Sequence, residues 1–165
     1  RHHRKIMLRT KFIGSALALA FMAFSAAAVN AQTVNVGGSI GNGTVARGGS
    51  ARGVVTLNIP GGLHVNSNRP NSEYAIPTSV RLTATGGRVS APAYPRGKNK
   101  RFQFSNGGTI NIYEGRVTIP FTVRVPANFR GNTVTVRAAV RYQACTDEVC
   151  YPPRTQNITL TARVR

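Results

Sequence analysis

Apolar and polar residues alternate with period two in five stretches of this chain, and that pattern confines the fold to sheets. Val55, Leu57 and Ile59 share one parity, as do Val80, Leu82 and Ala84, and Val117, Ile119, Phe121, Val123 and Val125. Val134, Val136, Ala138, Val140 and Tyr142 repeat it, and so do Ile158, Leu160, Ala162 and Val164. Successive side chains of a strand point to opposite faces, so each run reads as a half-buried strand with Thr and Arg on its wet side. Between the runs stand Asn42-Gly43, Gly61-Gly62, Gly86-Gly87, Asn106-Gly107-Gly108 and Gly131-Asn132, pairs that tolerate positive φ in turns. Beyond residue 31 no apolar stripe of helical period is sustained, so helix is nearly absent. The spacing predicts one all-β domain, an immunoglobulin-like β-sandwich of about 7–9 strands.

The first 31 residues have a different character. Arg1, Arg4, Lys5, Arg9 and Lys11 precede an apolar run over residues 13–29, which ends in the small-residue pattern Val29-Asn30-Ala31. That is the order of a cleavable secretory signal peptide over residues 1–31, with residues 32–165 as the exported domain. The alternative is an uncleaved anchor, because about 17 apolar residues are the lower limit for spanning a bilayer. The chain carries 22 Lys and Arg against 4 Asp and Glu, a formal +18. Taken alone, that charge suggests a nucleic-acid binder. Removing residues 1–31 leaves +13 over 134 residues and takes the domain out of the cytoplasm, so nucleic acid is not the expected partner. Weak contact with an anionic membrane surface takes its place. The basic cluster Arg96, Lys98, Lys100 and Arg101 reads first as a solvated loop.

Two cysteines remain in the exported part, Cys145 and Cys150, in the segment Tyr142-Gln143-Ala144-Cys145-Thr146-Asp147-Glu148-Val149-Cys150-Tyr151-Pro152-Pro153. An even cysteine count in an exported chain points to a disulfide. Closing a loop of about six residues stabilises by only about 2 kcal/mol in the chain-entropy estimate, against nearly 5 for about a hundred. The pair is therefore poorly placed as a brace and well placed as a compact, reachable dithiol. Zinc is a weak reading, since His64 is the one histidine beyond residue 31 and lies far from the cysteines in sequence. We read His64 as a loop or hydrogen-bonding residue rather than a ligand or base. No Gly-x-Ser-x-Gly turn offers a hydrolase nucleophile, and the acids are only Glu73, Glu114, Asp147 and Glu148. Two of the four lie between the cysteines, and negative neighbours raise a thiol's pKa.

The segment Tyr-Gln-Ala-Cys-x4-Cys-Tyr-Pro-Pro resembles the redox site of the N-terminal domain of the DsbD family of thiol:disulfide interchange proteins. Gly62-Leu63-His64-Val65-Asn66-Ser67-Asn68-Arg69-Pro70, Ile76-Pro77-Thr78, Tyr94-Pro95-x-Gly97 and Tyr113-Glu114-Gly115 are similar to the same family, so the resemblance spans nearly all of residues 34–164. It implies an immunoglobulin-like periplasmic domain acting as a component of a protein-disulfide reductase. Such a domain takes electrons from a membrane-embedded or thioredoxin-like donor and passes them through mixed disulfides to periplasmic disulfide proteins. By the same resemblance Cys150 is the attacking thiol and Cys145 resolves, while Tyr142, Gln143, Tyr151 and Pro152 frame the pair. A cap loop with an aromatic residue is also implied, a role open to Phe102 or Phe104.

This sequence departs from the enterobacterial pattern in lacking the Asp-Glu-Phe-Tyr-Gly form of that loop and in a cysteine spacing one residue shorter. It also ends at Arg165, without the family's membrane and thioredoxin-like domains, so the expectation is a free-standing monomer whose electrons come from another protein. No metal or other cofactor is expected. The competing expectation, from a different class, is a basic interaction module in which the disulfide only stiffens a hairpin.

Overall fold

The computed structural model describes residues 33–165; the expected signal peptide, residues 1–31, lies outside the described residues. The strands are β1 (Asn35–Ile40), β2 (Thr44–Val45), β3 (Ser50–Asn58), β4 (His64–Asn66), β5 (Ser79–Thr85), β6 (Arg88–Val89), β7 (Lys98–Arg101), β8 (Thr109–Tyr113), β9 (Arg116–Arg124), β10 (Thr133–Tyr142), β11 (Ala144–Cys145) and β12 (Arg154–Val164). The sole helical element among the described residues is a 3-10 turn at Gln103–Ser105. Eight strands have four or more residues, which agrees with the 7–9 expected, and the other four are short ladder segments. Among the described residues no helix is long and apolar enough to cross a membrane.

The strands form three sheets, ordered β1-β3-β9-β6, β2-β12-β10-β5 and β11-β4-β8-β7. All pairs are antiparallel except β2 beside β12. Register aligns the apolar parities: Val55 faces Ile119 and Leu57 faces Val117 in the first sheet, while Val136 lies between Leu160 and Ala84 in the second. The inward residues of both sheets merge into one core, with Val55, Leu57, Ile119 and Val123 packed against Val134, Val136, Val140 and Ala162. This is the two-layer sandwich that the alternation predicts. Each fully buried side chain of this kind contributes roughly 1.5–3 kcal/mol. Gly53 lies opposite Phe121, where a Cβ would stand 2.3 Å from the ring, so a glycine is needed for that aromatic to lie across β3.

The third sheet lacks a wet face along its inner strands. One side, with Val65, Tyr113 and Ala144, joins the main core. The other carries Ile110 and Ile112 under the ring of Phe102, a second small apolar cluster. This doubly covered sheet holds the cysteines.

Candidate functional site

Leaving the core at Tyr142, the chain folds back on itself within ten residues. Ala144 accepts a hydrogen bond from the Tyr151 N–H at 2.9 Å, and Cys145 bridges Cys150 in an antiparallel pair. The tip is tied by Thr146, whose N–H donates to Val149 O at 2.8 Å and whose Oγ1 accepts from the Val149 and Glu148 N–H groups at 3.0 and 3.2 Å. Cys145 and Cys150 are joined by a disulfide across this hairpin. Their exposure differs sharply. Cys145 is 0% exposed, whereas Cys150 lies open to solvent.

Cys145 is buried because β11 adds to β4, where Cys145 faces His64 and Ala144 faces Val65. His64 is therefore a strand residue opposite the buried cysteine, correcting the loop reading. Its ring is 2% exposed and stacks on Phe102 with centroids 4.4 Å apart, and Phe104 stacks on the far side of Phe102 at 5.0 Å. Phe102 is buried and Phe104 partly exposed, so the two candidate cap aromatics form one pile over His64. Burial, and then the nearby Lys100 charge, hold the His64 imidazole below its ordinary value, against an opposite pull from Asp147 and Glu114. Nε2 of His64 has no hydrogen-bond partner among the described residues.

The basic cluster is also relocated. Lys98, Lys100 and Arg101 belong to β7, an edge strand of the site sheet, rather than to a solvated loop. Lys100 Nζ lies 3.2 Å from Asp147 Oδ1 and 3.4 Å from Glu114 Oε1, and 5.3 Å from the centre of the Phe102 ring. Lys98 pairs with Glu114 at 3.4 Å. Asp147, which stands between the cysteines in sequence, is thus paired with a cation, so its charge does not act on the thiols unopposed. The ion pair and these bonds hold the Lys100 ammonium above its ordinary value.

Gln143 Oε1 accepts from Asn66 Nδ2 at 2.9 Å and from the Ile76 N–H at 3.3 Å, while Asn66 Nδ2 also donates to Ile76 O at 3.0 Å. Thr78 completes this corner, its Oγ1 donating to Asn66 O at 2.6 Å. The motifs around Asn66, Ile76 and Gln143 therefore meet in one network beside the hairpin. Tyr142 is not part of it. Its ring belongs to the main core, and its hydroxyl accepts from Gln156 Nε2 at 2.7 Å. Tyr151 and Pro152 lie exposed immediately after Cys150. A groove of about 510 Å³ runs past Cys150, lined by Gln143, Asn66, Tyr74, Phe104 and Glu73 among others. Among the described residues no group of three His, Cys, Asp or Glu side chains is arranged to hold a metal. Sequence reasoning missed the roles of His64, Asn66 and Thr78, although all three lie in the segments that carry the family resemblance.

The family described as "Thiol:disulfide interchange protein DsbD, N-terminal" matches residues 41–162. Among curated relatives, DsbD of Actinobacillus pleuropneumoniae is 24% identical over 98 residues, covering 59% of this chain and 15% of that protein. DsbD of Pasteurella multocida is 28% identical over 105 residues, covering 62% of this chain and 16% of that protein. The chain thus matches about one-sixth of the length of each relative. Among solved structures, the N-terminal periplasmic domain of ScsB from Proteus mirabilis superposes with a TM-score of 0.50 at 12% identity, covering 76% of this chain and 45% of that one. At that identity the likeness speaks for the sandwich fold alone.

Proposed function

The chain belongs to the family of the DsbD N-terminal domain, and from that premise we propose that it is a thiol-disulfide exchange domain working through Cys145 and Cys150. One observation carries the reading: the disulfide couples a fully buried cysteine to an exposed one on a short hairpin. Exchange proceeds by in-line attack on an accessible sulfur through a mixed disulfide. The asymmetry supports Cys150 as the residue that joins the partner and Cys145 as the one that resolves. Gln143, Tyr151 and Pro152 frame the exposed cysteine, and Tyr142 supports the hairpin from the core. Phe102 and Phe104 serve as the cap. The partners are thioredoxin-like proteins and a membrane electron donor, met by a monomer in the periplasm after removal of residues 1–31. Exposed Tyr74, Phe104, Val149 and Tyr151 around the hairpin and groove supply the apolar contact that such docking uses.

Trapping tests this. Cys145→Ala should accumulate a stable mixed disulfide with a periplasmic thioredoxin-like protein, and Cys150→Ala should accumulate none. Absence of adduct with both variants, together with a wild-type disulfide that resists reduction by the same protein, would reject exchange.

A second observation favours a further, non-redox reading. The outward face of β5, β10 and β12 carries Arg81, Arg137, Arg141 and Arg163 among threonines, with no acidic residue on those strands. A shallow depression of about 330 Å³ lies between Arg81 and Arg137. This face suits an anionic lipid surface, where each Arg near the headgroups contributes about 1 kcal/mol. Binding to anionic vesicles should fall steeply with salt and survive replacement of both cysteines by Ala. Equal binding to neutral vesicles would discard it.

A further inference from the structure

A buried thiol that must act as a nucleophile needs an acceptor for its proton, because burial disfavours the thiolate. Cys145 is in that position and has no solvent contact. Its neighbour across the ladder is His64. Side chains directly opposite in an antiparallel pair stand on the same face with Cβ atoms about 4.5–5.5 Å apart. The His64 ring is fixed there by Phe102, and its Nε2 is buried without a hydrogen-bond partner among the described residues. Buried polar atoms left unpaired are uncommon and costly. In the oxidised pair Cys145 has no thiol hydrogen to offer, so an acceptor reserved for the reduced state would be left unpaired in the disulfide form.

We propose that His64 is the internal base of this dithiol, accepting the proton of Cys145 in the step that resolves the mixed disulfide. The inference rests on the exchange reading above. In that step a partner sulfur is bonded to Cys150 Sγ. The Cys145 proton passes to the neutral imidazole, and the Cys145 sulfur attacks Cys150 Sγ with the freed electron pair. The Cys145–Cys150 bond forms, the bond from Cys150 to the partner breaks, and the partner sulfur leaves with the pair as a thiolate. The imidazolium proton then neutralises that thiolate, so the pair is oxidised by two electrons and the partner reduced by two. The charged groups facing His64 are Lys100 from β7, Glu114 following β8 and Asp147 from the hairpin tip. Lys100 bonds to both acids, leaving a mixed field around the ring rather than a fixed counter-ion. An imidazole that stays neutral at physiological pH is the form that accepts a proton.

The experiment follows the reduced protein as it reacts with dithiobis(nitrobenzoate), an aromatic disulfide that releases one coloured thiolate when Cys150 attacks and a second when Cys145 closes the pair. His64→Phe keeps a ring on Phe102 and removes the base; His64→Gln keeps a polar side chain that does not titrate. Both variants should give the first release at the wild-type rate and the second about tenfold or more slowly, in keeping with the loss of a general base. The wild-type second phase should slow as pH falls below about 6.5, a dependence that both variants lack. Folding of each variant is checked by circular dichroism, and either one suffices for the comparison. A second phase in a folded variant with wild-type rate and wild-type pH profile would overturn the role of His64. A wild-type protein that never gives a second release would instead defeat the exchange reading, and this inference with it.

Discussion

A histidine buried as His64 is affects stability as well as chemistry. Its folded-state pKa is lowered from the ordinary 6.5 by burial first and Lys100 second. As pH falls through about 6.5 the unfolded chain takes up a proton that the folded one still refuses, so stability present above that pH is lost progressively down to the folded value. Urea unfolding between about pH 7.5 and 5 should show the wild type weakening toward acid, with a shallower slope in His64→Phe. Identical slopes would contradict the burial of the ring. The same scale shows what one residue can hide from a sequence. The alternation pattern has no place for a polar residue on a strand buried on both faces, so His64 reads as a loop or hydrogen-bonding residue, and only the register with Cys145 reveals its position. Tyr142 is the converse case. It belongs both to the motif and to the apolar parity of its strand, and its ring joins the core while its hydroxyl meets Gln156.

Among elements, the long strands were legible and the site sheet was not. All five alternating runs are strands, in β3, β5, β9, β10 and β12, because each has one wet face. β4 is three residues long and buried on both sides, so it has no alternation to detect. β7 reads as a charged loop because its lysines are held by acids far away in sequence, Glu114 and Asp147. The buried network here gives a second prediction. Asn66→Ala removes the donor shared by Gln143 and Ile76 and should cost about 1–3 kcal/mol in chemical unfolding. A cost well below that range would mean water replaces the amide. The hairpin gives a third. Because it closes so few residues, reducing the disulfide should lower unfolding stability by only about 2 kcal/mol and leave the domain folded. Unfolding on reduction would make the bond a brace and weaken the exchange reading.

Over the whole molecule, charge is segregated in a way that net charge conceals. All four acids stand around the hairpin and groove: Glu73 lines the groove, Glu114 and Asp147 bind the two lysines, and Glu148 sits on the tip. The sheet of β5, β10 and β12 is left with arginine alone among charged residues. Replacing Arg81, Arg137, Arg141 and Arg163 by Gln should therefore abolish salt-sensitive vesicle binding while leaving the rate of Cys150 alkylation in the reduced protein unchanged. A change in both would mean that the face and the site are coupled.

The Cys145–Cys150 pair can exchange only if it is poised rather than locked. The reduction potential of that pair, measured by equilibration with a glutathione or dithiothreitol buffer, addresses this most directly. A value within the range of exchange catalysts, about −120 to −270 mV, is the predicted result. A value well below about −300 mV would mark a structural disulfide and contradict the account.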